Sequence, residues 1–435
     1  MKTARQVAAE ALVKQEQGGY SNLVLDAALR AAALSPRDQA FCSAVFYGVL
    51  ERQNTLDFCL GRCLQKPLTK LDAPVRALLR SGLYQLRYMQ VPPSAAVNET
   101  VALTRRMGKT SAAGLVNAVL RRAAGVQPER HEFQSEAEWL AVSYSVARPV
   151  AQLFLEAYPG RAQGILEAFF EKAPTALRAN TLKTDAPALV RALREEGAQA
   201  EVGPLPGSVL AVLRGSPASS AAFGQGLFHV QGLSSQLAAL CLGVRGGQKV
   251  LDLCAAPGGK TLLLAQQMQN SGRLFSCDAA PNRLPLIQKA LDRCGVANAS
   301  VLLRDASQPD ARLAGADRVL CDVPCSGLGI LGKKPDLRYK DLTGLDGLCG
   351  LQGRILRTAA GYVKPGGRLV YSTCTLNPAE NERQIEAFLR EAAGTFSLAA
   401  PAYAPPQAQC GPYGMTIFPD GKGFDGFFIA TLERL

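Results

Sequence analysis

The sequence predicts a multidomain chain, with an all-α domain at the N-terminus followed by an α/β domain on a doubly wound parallel sheet. Three observations predict it. Apolar residues recur every three to four positions through the first 125 residues, as on the buried faces of helices. From about residue 172, short β-rich runs alternate with helical segments, the pattern of parallel strands joined by crossover helices. Acids and a glycine turn stand at the ends of those runs, where such sheets bind ligands.

The helical stretches come in order. "ARQVAAEALVKQ", "SNLVLDAALRAAAL", "RDQAFCSAVFYGVLERQNTLDFCLGRCL", "LDAPVRALLRSGLYQLRYM" and "AAVNETVALTRRM" all carry the helical period. "SPRDQ" at 35–39 and "PPSAAVNE" at 92–99 place Ser or Pro where helices begin. These stretches make a domain over 1–125. Residues 126–171 hold the only tryptophan and read as connecting helices. The α/β domain spans 172–435: "KVLDLC" and a helix from Thr261, "RLFSCD" and a helix over 281–294, "VLLRD", "RVLCD", then "GRLVYSTC" and a helix over 379–393.

The chain of 435 residues carries a formal net charge of +12. A basic excess of this size suits an acidic partner such as RNA. No polybasic tail supplies it, so folding must assemble the basic surface. Arg105, Arg106, Lys109, Arg121 and Arg122 make one candidate phosphate-contacting patch, and "GKKPDLRYK" (332–340) another. A solvated helix face and an exposed loop account for the same charges. With only His131 and His229, histidine-based zinc sites and Ser-His-Asp triads are nearly excluded, and no metal is expected. Twelve cysteines include no CxxC pair, which fits reduced thiols in a cytoplasmic protein. Neither an export signal nor a membrane span is read, and a monomer is expected.

Residues 251–261 read "LDLCAAPGGKT". A phosphate-binding G-x-x-x-x-G-K-[ST] loop needs glycine where Cys254 stands, so the pattern is one glycine short. What remains, Cys254, Ala255, Ala256, Pro257, Gly258, Gly259 and Lys260, is a turn that lets a ligand approach the backbone. Asp278 ends the next strand, where a carboxylate suits the hydroxyls of a ribose. Asp305 ends "VLLRD", where it can receive an adenine amino group, and Asp322 ends "RVLCD". Together they describe an adenosine ligand without a triphosphate, and S-adenosyl-L-methionine fits. The bland alternative for any one of these acids is a helix cap.

Two thiols point to the reaction. "VPCSGLG" sets Cys325 in a tight turn at a strand end, and "YSTCTLNPAENE" sets Cys374 at the end of another. Carbon 5 of a pyrimidine is too weak a nucleophile to take a methyl group directly. A thiolate added at carbon 6 turns the ring into an enamine, and carbon 5 then attacks the sulfonium methyl. A second thiol can assist the later release. Spacing alone does not order the two.

"LDLCAAPGGKT", "CDVPCSGLG", "YSTCTLNPAENE" and "DGFFIATL" resemble successive motifs of the RNA 5-methylcytosine methyltransferases, over about 172–435. "LSPRDQAFCSAVFYGVL", "GLYQLRYMQVPPSAAVNETVAL" and "GLVNAVLRR" resemble NusB, a helical RNA-binding factor. The combination resembles the RsmB (Sun/Fmu) family of bacterial small-subunit rRNA methyltransferases. That resemblance implies a NusB-like domain and a Rossmann-like class I methyltransferase domain that methylates carbon 5 of one rRNA cytosine. It implies Cys374 as nucleophile, Cys325 as release residue, and cofactor contacts from Cys254 through Lys260, Asp278, Asp305 and Asp322. Val323, Leu328 and Gly232 depart from the family pattern, at loop details and not at the thiols or acids. A tRNA methyltransferase, a P-loop NTPase and a non-catalytic RNA-binding assembly factor are the other readings.

Overall fold

The computed structural model describes residues 2–435, which form two compact units. The first runs to Glu167 and also takes in Leu331–Leu342. Its helices are α1 (Ala4–Glu16), α2 (Ser21–Ala32), α3 (Pro36–Glu51), α4 (Gln53–Gly61), α5 (Ala73–Tyr88), α6 (Pro93–Arg106), α7 (Ala113–Ala123), α8 (Glu136–Ser143), α9 (Arg148–Ala157) and α10 (Ala162–Ala168). The "SPRDQ" start behaves as its composition dictates: the Ser35 hydroxyl accepts from Asp38 N at 3.2 Å, and Pro36 opens the first turn. Phe46, Leu56, Leu60, Leu78, Leu79, Leu83 and Leu120 are buried at its centre. Gly48 on α3 lets the Tyr84 ring of α5 close in; a Cβ there would sit 1.9 Å from that ring.

The segment 331–342 does not lie open as a basic loop. Arg338 is fully buried, its guanidinium donates to Tyr144 O at 3.0 Å, and its carbonyl accepts from Ala147 N at 2.6 Å. Tyr339 donates to Leu50 O at 2.6 Å, and Ser21 donates to Asp336. Lys333 and Lys334 alone of its cations are exposed. In the other candidate patch, Lys109 pairs with Asp72 at 2.6 Å and Arg122 donates to Cys63 O, while Arg105 and Arg106 are exposed.

The second unit holds two sheets. The smaller is antiparallel, ordered β2-β3-β1-β4, from β1 (Thr175–Ala179), β2 (Gln199–Val202), β3 (Ser208–Val212) and β4 (Phe228–Val230), with α11 (Ala186–Glu195) and α12 (Ala221–Gly224). A single α/β domain over 172–435 is where the sequence pattern places this region. Its strands run only three to five residues, too short for a period to stand out.

The larger sheet holds β5 (Lys249–Asp252), β6 (Arg273–Asp278), β7 (Ala299–Leu303), β8 (Ala316–Asp322), β9 (Val363–Thr373), β10 (Phe396–Leu398), β11 (Gln409–Gly411), β12 (Gly414–Ile417) and β13 (Phe427–Arg434). Helices α13 (Leu233–Leu242), α14 (Gly259–Gln267), α15 (Leu284–Cys294), α16 (Leu345–Tyr362) and α17 (Glu382–Glu391) accompany it. The order is β11-β12-β13-β9-β8-β5-β6-β7, with β10 on β13. Strands β5 to β9 are parallel, but β10 to β13 pair antiparallel, so the sheet is mixed and not wholly parallel. Strands succeed one another outward from β5 to β7 on one side and from β8 to β9 on the other, where β13, β12 and β11 then follow. The order therefore reverses between β5 and β8, and the ligand crevice of such a sheet opens beyond their carboxyl ends. Asp252 and Asp322 end those two strands.

Candidate active site

The loop after β5 turns through Cys254–Gly259 into α14. Ala256–Pro257 is cis, and Gly258 has φ +103°, a conformation that excludes side chains at little cost only for glycine. Asp278, at the end of β6, holds this loop: Oδ2 accepts from Ala256 N at 3.1 Å and Oδ1 from Ala280 N at 2.9 Å. Asp252 is fully buried. Its Oδ2 accepts from Thr261 at 2.7 Å, while Oδ1 has no partner. Burial pushes its pKa up to about 7. Asp305 is exposed and caps its own turn, taking Ser307 N and Oγ at 2.9 and 2.7 Å; these bonds hold its carboxyl below the usual range.

Asp322 pairs with Lys260 at 2.6 Å and accepts from Ser372 Oγ at 2.8 Å. Burial works against the Lys260 charge, but Asp322 outweighs it and the lysine pKa is raised. Its Nζ lies 5.7 Å from the Phe427 ring centroid. Three residues beyond Asp322 the Cys325 sulfur stands 3.0 Å from that of Cys374, and Cys374 N donates to Cys325 Sγ at 3.3 Å. The Cys325 thiol is held well above its ordinary pKa, first by its hydrogen bond to Cys374 and then by burial. Burial raises Cys254 as well.

A buried carboxylate braces this turn. Glu380 accepts from Ser326 N at 2.7 Å, from Gln352 Nε2 at 2.9 Å, from Asn377 Nδ2 at 3.0 Å, and from the Ser326 hydroxyl. On the other side Gly329 N donates to Cys374 O at 3.0 Å, and Gly426 N to Gly329 O at 2.7 Å. A Cβ on Gly329 would sit 1.9 Å from Gly426 O.

Of the residues picked from sequence, the turn from Cys254 to Lys260, Asp278, Asp322 and both thiols meet around the β5–β8 crevice, whereas the Asp305 side chain is exposed and bonds only within its own turn. Asp252 and Glu380 were missed. Asp252 could have been found as a strand-end acid beside the glycine turn. Glu380 lies inside the quoted "YSTCTLNPAENE", but its bracing role depends on Ser326 and Gln352, which folding brings from elsewhere in the chain.

The glycine turn, the strand-end acids and the reversal of strand order define a Rossmann-like methyltransferase domain that uses S-adenosyl-L-methionine. The residues fit this cofactor. Asp252 offers a buried, unpartnered acid oxygen, and Cys254 stands where a triphosphate loop needs glycine. Residues 239–433 match the model of the 16S rRNA methyltransferase RsmB/F family, residues 2–125 that of the NusB family, and residues 150–217 a ferredoxin-like domain of RsmF/B-like methyltransferases. A probable ribosomal RNA small subunit methyltransferase B from Synechocystis is 36% identical, with 95% of each chain covered. One from Bacillus subtilis is 34% identical, with 99% of each covered. A methyltransferase homolog protein from Pyrococcus horikoshii superposes with a TM-score of 0.62 at 29% identity, over 70% of this chain and 100% of that one. The chain belongs to the ribosomal RNA small subunit methyltransferase B family.

Proposed function

We propose that this chain methylates carbon 5 of one cytosine in 16S rRNA through a covalent Cys374 adduct. The observation that carries the reading is the contact between the Cys325 and Cys374 sulfurs beside the Lys260–Asp322 pair. The turn from Cys254 to Gly259, with Asp252, Asp278 and Asp305, would hold S-adenosyl-L-methionine, which would supply an electrophilic methyl group. The Cys374 hydrogen bond and burial hold Cys325 in its thiol form, which leaves the attack to Cys374. The Cys374 thiolate adds to carbon 6, and the electron pair moves to carbon 5, which takes the methyl group. Carbon 5 then bears both a methyl and a hydrogen. Once Cys374 is a thioether it no longer opposes ionisation of Cys325. Cys325, its own proton passed to water, then takes the carbon 5 proton; the electron pair left behind re-forms the carbon 5–carbon 6 double bond and expels Cys374 as a thiolate. The raised thiol is thus a base that switches on only after attack.

Mapping 5-methylcytosine in 16S rRNA from cells with and without this protein tests the reading. Loss of one modified cytosine on deletion, restored by the wild type and not by Cys374→Ala, supports it. An unchanged map overturns it.

A further inference from the structure

The helical unit carries a groove of about 640 Å³ that the chemistry above does not use. Its walls come from the α3–α4 junction, the end of α5, the segment after α7, and α8 with the turn that follows. Arg52, Arg87, Tyr88, Gln127, Trp139 and Tyr144 line it, and no carboxylate does. The Arg52 and Arg87 guanidinium carbons lie 4.9 and 5.6 Å from the Tyr88 ring centroid, which fixes both cations against one aromatic wall. No carboxylate stands among the lining residues, and burial lowers the Arg52 pKa while Tyr88 and Glu51 raise it. Trp139 and Tyr144 stand 6.3 Å apart with planes at 85°. The Arg130 guanidinium carbon lies 5.4 Å from the Trp139 ring centroid, so a further cation stands beside these rings. Arginines beside partly exposed aromatics make the combination that grips single-stranded nucleic acid, phosphate on the cations and base on the rings.

We propose that this groove binds an unpaired ribonucleotide of the RNA substrate, outside the segment 2–125 that matches NusB in two of its aromatic walls, Trp139 and Tyr144. The proposal rests on RNA being the substrate class.

Trp139 is the only tryptophan, so its fluorescence reports on this groove alone. The full chain is titrated with a labelled single-stranded octaribonucleotide, a duplex of the same sequence, and free cytidine monophosphate, following label anisotropy and tryptophan emission together. Saturable quenching by the single strand, with a midpoint matching anisotropy and weaker for the duplex, is expected. Gln127→Glu, an exposed change that adds a negative charge, should weaken single-strand binding roughly tenfold, and Trp139→Ala about as much while Trp139→Phe does not. Binding by anisotropy with unchanged emission and an unaffected Gln127→Glu variant overturns the groove and leaves the RNA methyltransferase reading standing. Tighter quenching by free cytidine monophosphate than by the octamer makes it a free-nucleotide site and also overturns the proposal. No RNA binding at all removes both readings.

Discussion

The sulfurs of Cys325 and Cys374, 49 residues apart in the chain, lie 3.0 Å apart, and the backbone N–H of Cys374 donates to Cys325. If Cys374 attacks and Cys325 releases, the two variants fail differently. Cys374→Ala should bind cofactor and RNA yet give neither adduct nor methylation. Cys325→Ala should attack, transfer the methyl group and stall, leaving protein joined to RNA. That adduct should survive denaturing electrophoresis, because its saturated ring needs base-assisted elimination to break down. A linked band with Cys374→Ala and none with Cys325→Ala would reverse the roles.

The Lys260–Asp322 pair is largely buried, with side chains 11% and 25% exposed. Lys260→Met leaves Asp322 without its cation and should cost about 2–4 kcal/mol of stability, together with more than a hundredfold in rate. Adding Asp322→Asn should restore much of the stability, since no lone charge remains, but none of the activity. Urea denaturation and single-turnover methylation on the same variants separate the two effects. Equal rates in Lys260→Met and wild type would remove Lys260 from the chemistry.

Asp252 ties stability to pH. Its folded pKa of about 7 lies above the ordinary 3.8, because burial outweighs the Thr261 bond and the Lys260 charge, with Asp322 and Asp278 adding to the rise. The folded state therefore holds a proton that the unfolded state has lost. This contribution is fully present below pH ~4 and is lost as pH rises through about 7, on the order of 2–4 kcal/mol in all. Asp252→Asn should melt near the wild type at pH 4 and increasingly above it up to pH 8. Calorimetry across that range checks the sign, and a wild-type profile matching that of Asp252→Asn would refute it.

Glu380→Gln replaces an acceptor that gathers four donors with a group that must itself donate. The cost should be about 2 kcal/mol. The Ser326 turn should loosen, so that release slows more than attack. Rapid-quench sampling should then find the RNA adduct at higher steady-state levels than in the wild type.

How much of this was legible follows from how local each signal is. Helix starts such as Ser35-Pro36 and strand ends such as Asp278 and Asp322 are written in a few adjacent residues, and they fell where the pattern put them. The sequence also put both thiols at strand ends, which is enough to suspect one pocket. The four-stranded sheet lacked a readable period. The antiparallel edge was hidden because "DGFFIATL" reads as a motif and says nothing of strand direction. Arg338 looked like a surface cation, because its partner Tyr144 lies 194 residues away in the chain. Buried polar groups such as Glu380 escape for the same reason, since they are explained only by partners that folding brings to them.

The backbone crossing of Gly329 and Gly426 has a consequence for inheritance. Either glycine given a side chain would drive the loop that carries Cys325 away from the loop before β13, and no single change elsewhere makes room, because the obstacle is the other backbone. The two positions, almost a hundred residues apart, therefore behave as one character. A chimera that takes "CSGLG" from one relative and "DGFF" from another keeps its geometry only if both donors left this crossing bare. Shuffling experiments should find these two segments tolerated together or refused together.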